Sequence, residues 1–127
     1  MRGAYLVSSF DMLNVGDLDV IRQAQELCTD LTIVVLSDGA VEETLGRPPV
    51  VPLHERRAIV EQVRGVLRVT DAESVMVRSP GQVFTTRELF DRVALTHPDV
   101  IIIDPAVRTQ STVLRGALQS VVAEAVA

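Results

Sequence analysis

The chain has 127 residues and a formal charge of −5, with 47% apolar residues but only 3% aromatic ones. That length holds one hydrophobic core and not two, and the acidic balance argues against nucleic acid as a partner, because a phosphate backbone asks for a clustered positive surface. A core of Val, Leu, Ile and Ala suits a buried parallel sheet covered by helices, and a small anion held by a few Arg stays compatible with the charge.

Residues 3–9 read as a first strand ending in Ser8 and Ser9, followed by the turn FDMLNVGD and a helix from about Asp17 to Cys28. Leu18, Ile21, Ala24, Leu27 and Cys28 recur at helical spacing as its inner face, with Asp19, Arg22, Gln23 and Glu26 outward. Asp17 suits the N-cap and the positive end of the helix dipole. Gly16 has two readings: a loop glycine, or a close approach of backbone to an anion at the helix N-terminus. Cys28 is the one cysteine; it excludes an internal disulfide and reads as a small buried hydrophobe, and no Cys/His spacing suggests a metal site.

The unbroken apolar run LTIVVLS at 31–37 reads as a central parallel strand, completing a βαβ unit. Asp38 follows at the strand end, either bonding its own turn or facing a ligand at the carboxyl edge of the sheet. A helical turn at Val41–Leu45 stops at Gly46 and Pro48-Pro49. The next helix, about Leu53 to Val63, is expected to bury Ala58, Ile59, Val60 and Val63, with His54 and Arg57 on its surface, and to end at Gly65. Val66–Thr70 forms a third strand, and 71–80 reads as irregular with an extra edge strand at 75–77. Thr85 or Thr86 caps a helix, TRELFDRVALTH, that buries Leu89, Phe90, Val93 and Ala94 before His97-Pro98 breaks it. DVIIID at 99–104 makes a fourth core strand, and a final helix from about Ser111 turns Leu114, Leu118, Val121 and Val122 inward. No apolar run reaches the ~18 residues of a membrane span and no signal-peptide pattern opens the chain. The expected setting is the cytoplasm, with no membrane partner.

The segment SSFDMLNVGDLDVIRQA resembles the signature of the cytidylyltransferase-like nucleotidyltransferases, G-[TS]-F-D-x-x-H-x-G-H, of the glycerol-3-phosphate cytidylyltransferase type. Ser9, Phe10, Asp11 and Gly16 stand on the family's positions. Ser8 replaces the first Gly, and Asn14 and Asp17 replace the two catalytic His. A second segment, GRPPVVPLHERRAIVEQVRGV, is similar to the family's basic loop and helix opening, with Arg47 in the loop and Glu55 with Arg56 or Arg57 at the helix. Asp104 resembles an acidic turn of the family weakly. Arg108-Thr109 and Ser111-Thr112 resemble a shortened R-T-x-G-I-S-T that lacks the Gly and Ile.

The resemblance implies a Rossmann-like α/β domain spanning 1–127: a mainly parallel sheet of four or five strands with helices on both faces, in three layers. It implies Asn14 and Asp17 as degenerate catalytic positions. Ser8, Ser9, Phe10, Asp11, Gly16, Arg56, Arg108, Ser111 and Thr112 fall on the nucleotide side, and Asp38 and Arg47 on the acceptor side. Each lost imidazole donor is worth about 100- to 1,000-fold in rate. The reading preferred on this basis is a catalytically impaired or inactive relative, a binding or assembly module that forms a homodimer or joins a partner protein. The alternative is an active enzyme moving CMP from CTP to a small phospho-alcohol such as glycerol 3-phosphate, with Mg2+ and release of pyrophosphate. An unrelated flavodoxin-like or signalling domain holding a divalent metal on Asp11, Asp38 and Asp104 is a distant third, since the Lys and Thr expected of a receiver domain are missing.

Overall fold

The computed structural model describes residues 3–75, 81–106 and 118–119. Five strands, β1 (Ala4–Ser8), β2 (Leu31–Leu36), β3 (Arg68–Ala72), β4 (Gln82–Thr85) and β5 (Ile101–Ile102), form one sheet in the order β3-β2-β1-β4-β5. Every neighbouring pair is parallel. β1 lies at the centre, and Leu6 and Val7, on its opposite faces, are both fully buried. Such two-sided burial explains why β1 and β2 are near-continuous apolar runs.

Alternate residues of the sheet feed two cores. On one face Leu6, Ile33, Val35 and Phe84 pack against Val20, Ile21 and Ala24 of α1 (Val15–Leu27) and Val60 of α3 (Leu53–Glu61). On the other, Val7, Val34, Leu36 and Val83 meet Ala40 and Val41 of α2 (Asp38–Leu45) and Val93 of α4 (Phe90–Val93). The result is the expected Rossmann-like α/β arrangement, with helices on both faces of a five-stranded parallel sheet.

Several local expectations are corrected. β4 is an unexpected strand: Thr85, one of the two candidate helix caps, ends it, and its hydroxyl donates to Val7 O at 2.8 Å. The run 99–104 supplies only the two-residue β5, at the sheet edge and not in its core. β3 is shifted to Arg68–Ala72. Leu18 and Leu27 of α1 are exposed, because the buried stripe runs through Val20, Ile21 and Ala24. In α3 the rotation is likewise different: Ala58 and Ile59 face outward, and Arg56 and Val60, one turn apart, face inward. Leu118 is exposed. The expected edge strand at 75–77 and the bulk of the last helix lie outside the described residues, although Val75 itself packs in the second core.

Candidate functional site

The strand register brings Ser8 level with Val35, Val7 with Thr85 and Thr85 with Ile102, so the carboxyl ends of β1, β4 and β5 open onto one edge. In an open parallel sheet that edge is where ligands bind. A cavity of about 180 Å³ lies there, walled by Ser8 and Ser9 after β1, Gly16 and Asp17 of α1, Thr86–Glu88 after β4, Asp104 after β5, and Gln119.

The turn from β1 to α1 is strained. Phe10 and Met12 adopt left-handed φ angles of 52° and 54°, which cost an L-residue about 1–2 kcal/mol each. Gly16, the glycine expected to absorb such geometry, is not among the positive-φ residues; it is the second residue of the helix. The turn persists because its neighbours determine it. Phe10 is buried in the first core. The Asp11 carboxylate, 1% exposed, accepts from Val50 N–H at 2.9 Å, Val51 N–H at 2.9 Å and Gln119 Nε2 at 3.1 Å.

Arg56 completes that framework from behind. Its side chain is fully buried, and Nη1 donates to Ser9 O and Leu36 O, both at 2.7 Å. Nε donates to Val51 O at 2.8 Å and Nη2 to Asp38 Oδ1 at 2.7 Å. The guanidinium thus joins the ends of β1 and β2 to the connection before α3, and it does not line the cavity. Asp38, half-exposed at the first turn of α2, sits on the far side of it with Ser37 as the cap. Arg47 approaches the cavity indirectly: its Nη2 donates to Gln119 Oε1 at 3.0 Å.

Asn14 and Asp17 form a reciprocal cap. Asn14, and not Asp17, is the N-cap of α1; its Oδ1 accepts from Gly16 N–H at 2.8 Å and Asp17 N–H at 3.4 Å. The Asp17 carboxylate reaches back to accept from Asn14 N–H at 3.0 Å. This is a capping box with Asp at its third helical position. It ties both substituted motif positions to the helix end.

Across the cavity, α1 clamps the segment after β5. Gln23 Nε2 donates to Asp104 O at 2.9 Å, and Ala106 N–H donates to Asp19 Oδ2 at 2.7 Å. Asp19 is held down to about 2 from its ordinary 3.8, first by the Ala106 N–H and then by Arg22 and Gln23. A carboxyl depressed in the folded state adds stability that is complete above its unfolded pKa and is lost as the pH falls through its folded one. Acid titration followed by circular dichroism is therefore expected to weaken this clamp between pH 3.8 and about 2. In Asp19→Asn that portion of the curve should flatten; an unchanged curve would assign the acid transition to other carboxyls.

The structure brings together Ser8, Ser9, Gly16 and Asp17 at the cavity, with Asn14, Asp11, Phe10 and Arg56 shaping it from behind and Arg47 linked through Gln119. Asp38 lies apart, beside Ser37 and Glu73. Arg108, Ser111 and Thr112 lie outside the described residues. Asp11, Asp38 and Asp104 do not converge: among the described residues no group of three or more His, Cys, Asp or Glu is placed to hold a metal. Sequence reasoning missed Thr86, Arg87, Glu88 and Gln119. The first three follow from β4, which was not recognised; Gln119 meets Asp11 from 108 residues away, a separation that leaves no local signal.

The sequence model of the cytidylyltransferase-like family matches residues 5–123. An FAD synthase of Pyrococcus abyssi is 30% identical over 112 residues, which is 88% of this chain and 68% of that protein. The FAD synthase of Pyrococcus horikoshii is 28% identical over 76% of this chain, and there the match spans only 57% of the relative. An ethanolamine-phosphate cytidylyltransferase of Arabidopsis thaliana is 40% identical over 62 residues, 49% of this chain and 14% of that one. Among solved structures, a lipopolysaccharide core biosynthesis protein from Thermoplasma volcanium superposes with a TM-score of 0.61 at 17% identity. It covers 86% of this chain and 99% of its own, a likeness of fold.

Proposed function

This chain belongs to the cytidylyltransferase-like family, and from that premise we propose that it is a nucleotide-fold binding or assembly module whose transfer chemistry is impaired or lost. The observation that carries this reading is the capping box of Asn14 and Asp17. Transfer of a nucleotidyl group depends on donors aimed at charge that develops on the attacked phosphorus. At the two positions where the family signature has imidazoles, this chain has an amide whose oxygen caps α1 and a carboxylate that accepts from Asn14 N–H. The carboxylate also repels phosphate, where an imidazolium attracts it. Homodimer formation or attachment to a partner protein in the cytoplasm completes the proposal. Among the described residues, no helix is long and apolar enough to cross a membrane.

A second reading is retained transfer, in the manner of the FAD synthase and ethanolamine-phosphate cytidylyltransferase relatives. It is favoured by the persistence of the cavity at the N-terminus of α1 with Ser8, Ser9 and Gly16 in its wall. Mg2+ would arrive on the triphosphate; the described residues do not themselves cluster to hold it.

Incubation with CTP or ATP, Mg2+ and glycerol 3-phosphate or FMN, followed by pyrophosphate assay, separates the readings. Release no faster than in protein-free controls is expected, and sustained turnover would overturn the proposal. The double variant Asn14→His/Asp17→His is expected to bind CTP about tenfold more tightly, by replacing a carboxylate with a donor. It should lose about 1–2 kcal/mol of stability with its cap. Calorimetric titration and thermal melts check the two effects separately.

A further inference from the structure

Of the described arginines near the cavity, Arg56 and Arg47 are already engaged inside the protein. Arg87 differs. It lies on the cavity wall, its side chain is 72% exposed, and its described hydrogen bonds go only to the Asp104 carboxylate: Nη2 to Oδ2 at 2.6 Å and Nε to Oδ1 at 3.2 Å. The guanidinium fork is therefore formed and filled by an oxyanion of the protein itself. The same fork geometry accepts a phosphate.

The Asp104 backbone is held in place, because Gln23 holds its carbonyl and Asp19 holds the Ala106 N–H two residues on. Yet an ion pair this exposed contributes little and exchanges readily for a competing anion. Among the described residues the lining sets three carboxylates, Asp17, Glu88 and Asp104, against the Arg87 guanidinium and that of Arg47, which stands 4.0 Å from Glu88, with hydroxyls on Ser8, Ser9 and Thr86. A triphosphate entering there meets a described lining in which carboxylates outnumber guanidinium groups. The fork and the hydroxyls line the same cavity, and a phosphate carries acceptors for both kinds of donor.

We propose that Arg87 and Asp104 are a specificity-determining pair that makes the cavity a site for ligands carrying one phosphate, of the nucleoside monophosphate class, and disfavours triphosphates. Asp104 holds the fork when no ligand does. This inference rests on the reading of the chain as a binding module, and names what that module binds.

The test is calorimetric titration of the full chain with CMP, inorganic phosphate and CTP in EDTA, so that each ligand carries its bare charge. The wild type should bind CMP at least about threefold more tightly than CTP. Arg87→Gln should weaken CMP binding about tenfold, with Arg87→Lys between it and the wild type, because the charge is kept and the fork lost. Asp104→Asn should tighten CMP about threefold and CTP by more, narrowing the ratio between them. Both side chains are exposed, and circular dichroism verifies that the variants fold. Tighter binding of CTP than CMP by the wild type overturns the proposal. So does unchanged CMP affinity in Arg87→Gln or Asp104→Asn, or the absence of any CMP binding at millimolar concentration. Pyrophosphate release by the wild type would instead remove the binding-module reading, whatever these affinities are.

Discussion

Replacing Arg56 by Met is expected to lower the free energy of unfolding by about 3–5 kcal/mol, measured by urea denaturation. The side chain is wholly buried and donates to three backbone carbonyls, Ser9 O, Leu36 O and Val51 O, besides Asp38. A buried ion pair can often be exchanged for apolar groups without loss, provided that both partners are replaced. Carbonyls cannot be replaced. Each one left without a donor costs about 1–3 kcal/mol, and Met supplies none. The Asp38 contact should matter much less, because that carboxylate is half-exposed and can turn to water; Asp38→Asn is expected to cost about 1 kcal/mol or less. Arg56→Lys should recover only part of the loss, since an ammonium lacks the planar fork that reaches two strands and a loop at once. A loss under about 1 kcal/mol for Arg56→Met would mean that the turn after β1 closes without its guanidinium.

Why Arg56 was legible as important but not as buried follows from the helix it sits on. In LHERRAIVE a rotation of one residue exchanges Arg56 and Val60 for Arg57 and Glu61 as the inner face, and burial of apolar Ala58 and Ile59 was the natural expectation. The protein instead buries a charge, because five guanidinium donors can serve carbonyls that converge from β1, β2 and the connection before α3. That convergence is tertiary and has no periodic trace. The central strands could be read directly, since burial on both faces makes them unbroken apolar runs. α1 is also legible, but it begins two residues before the expected Asp17: Asp17 is a good cap by type, yet Asn14 three residues earlier makes a reciprocal pair with it. β4 was hidden for a different reason. QVFT is four residues long and runs into Thr86, where a helix cap is an equally good local description. Only the free edge of β1 favours the strand, and that is a property of the assembled sheet. With β4 went Arg87 and Glu88, and hence one stretch of the cavity wall.

Gly81→Ala should test that hidden strand most severely, with an expected loss of about 2–4 kcal/mol. Gly81 stands just before β4, beside Gly3, which stands just before β1, and the paired register begins one residue later at Ala4 and Gln82. A Cβ on Gly81 would run into the Gly3 carbonyl oxygen. That obstacle is backbone, so no side chain can swing aside, and its position is set by the Ala4 N–H bond to Asp30 O at 2.8 Å. Relief requires the start of β4 to move away from β1. Such a shift would carry along Val83 and Phe84, one in each core, and would displace Thr86 and Arg87 at the other end. Gly39→Ala makes the control, because a Cβ there meets nothing within 4 Å, and it should change stability by no more than about 0.5 kcal/mol. If the two substitutions prove equally mild in urea denaturation, β4 does not approach β1 as closely as the register requires. If Gly81→Ala alone is costly and also weakens CMP binding, the central strand pair and the cavity wall rise or fall together.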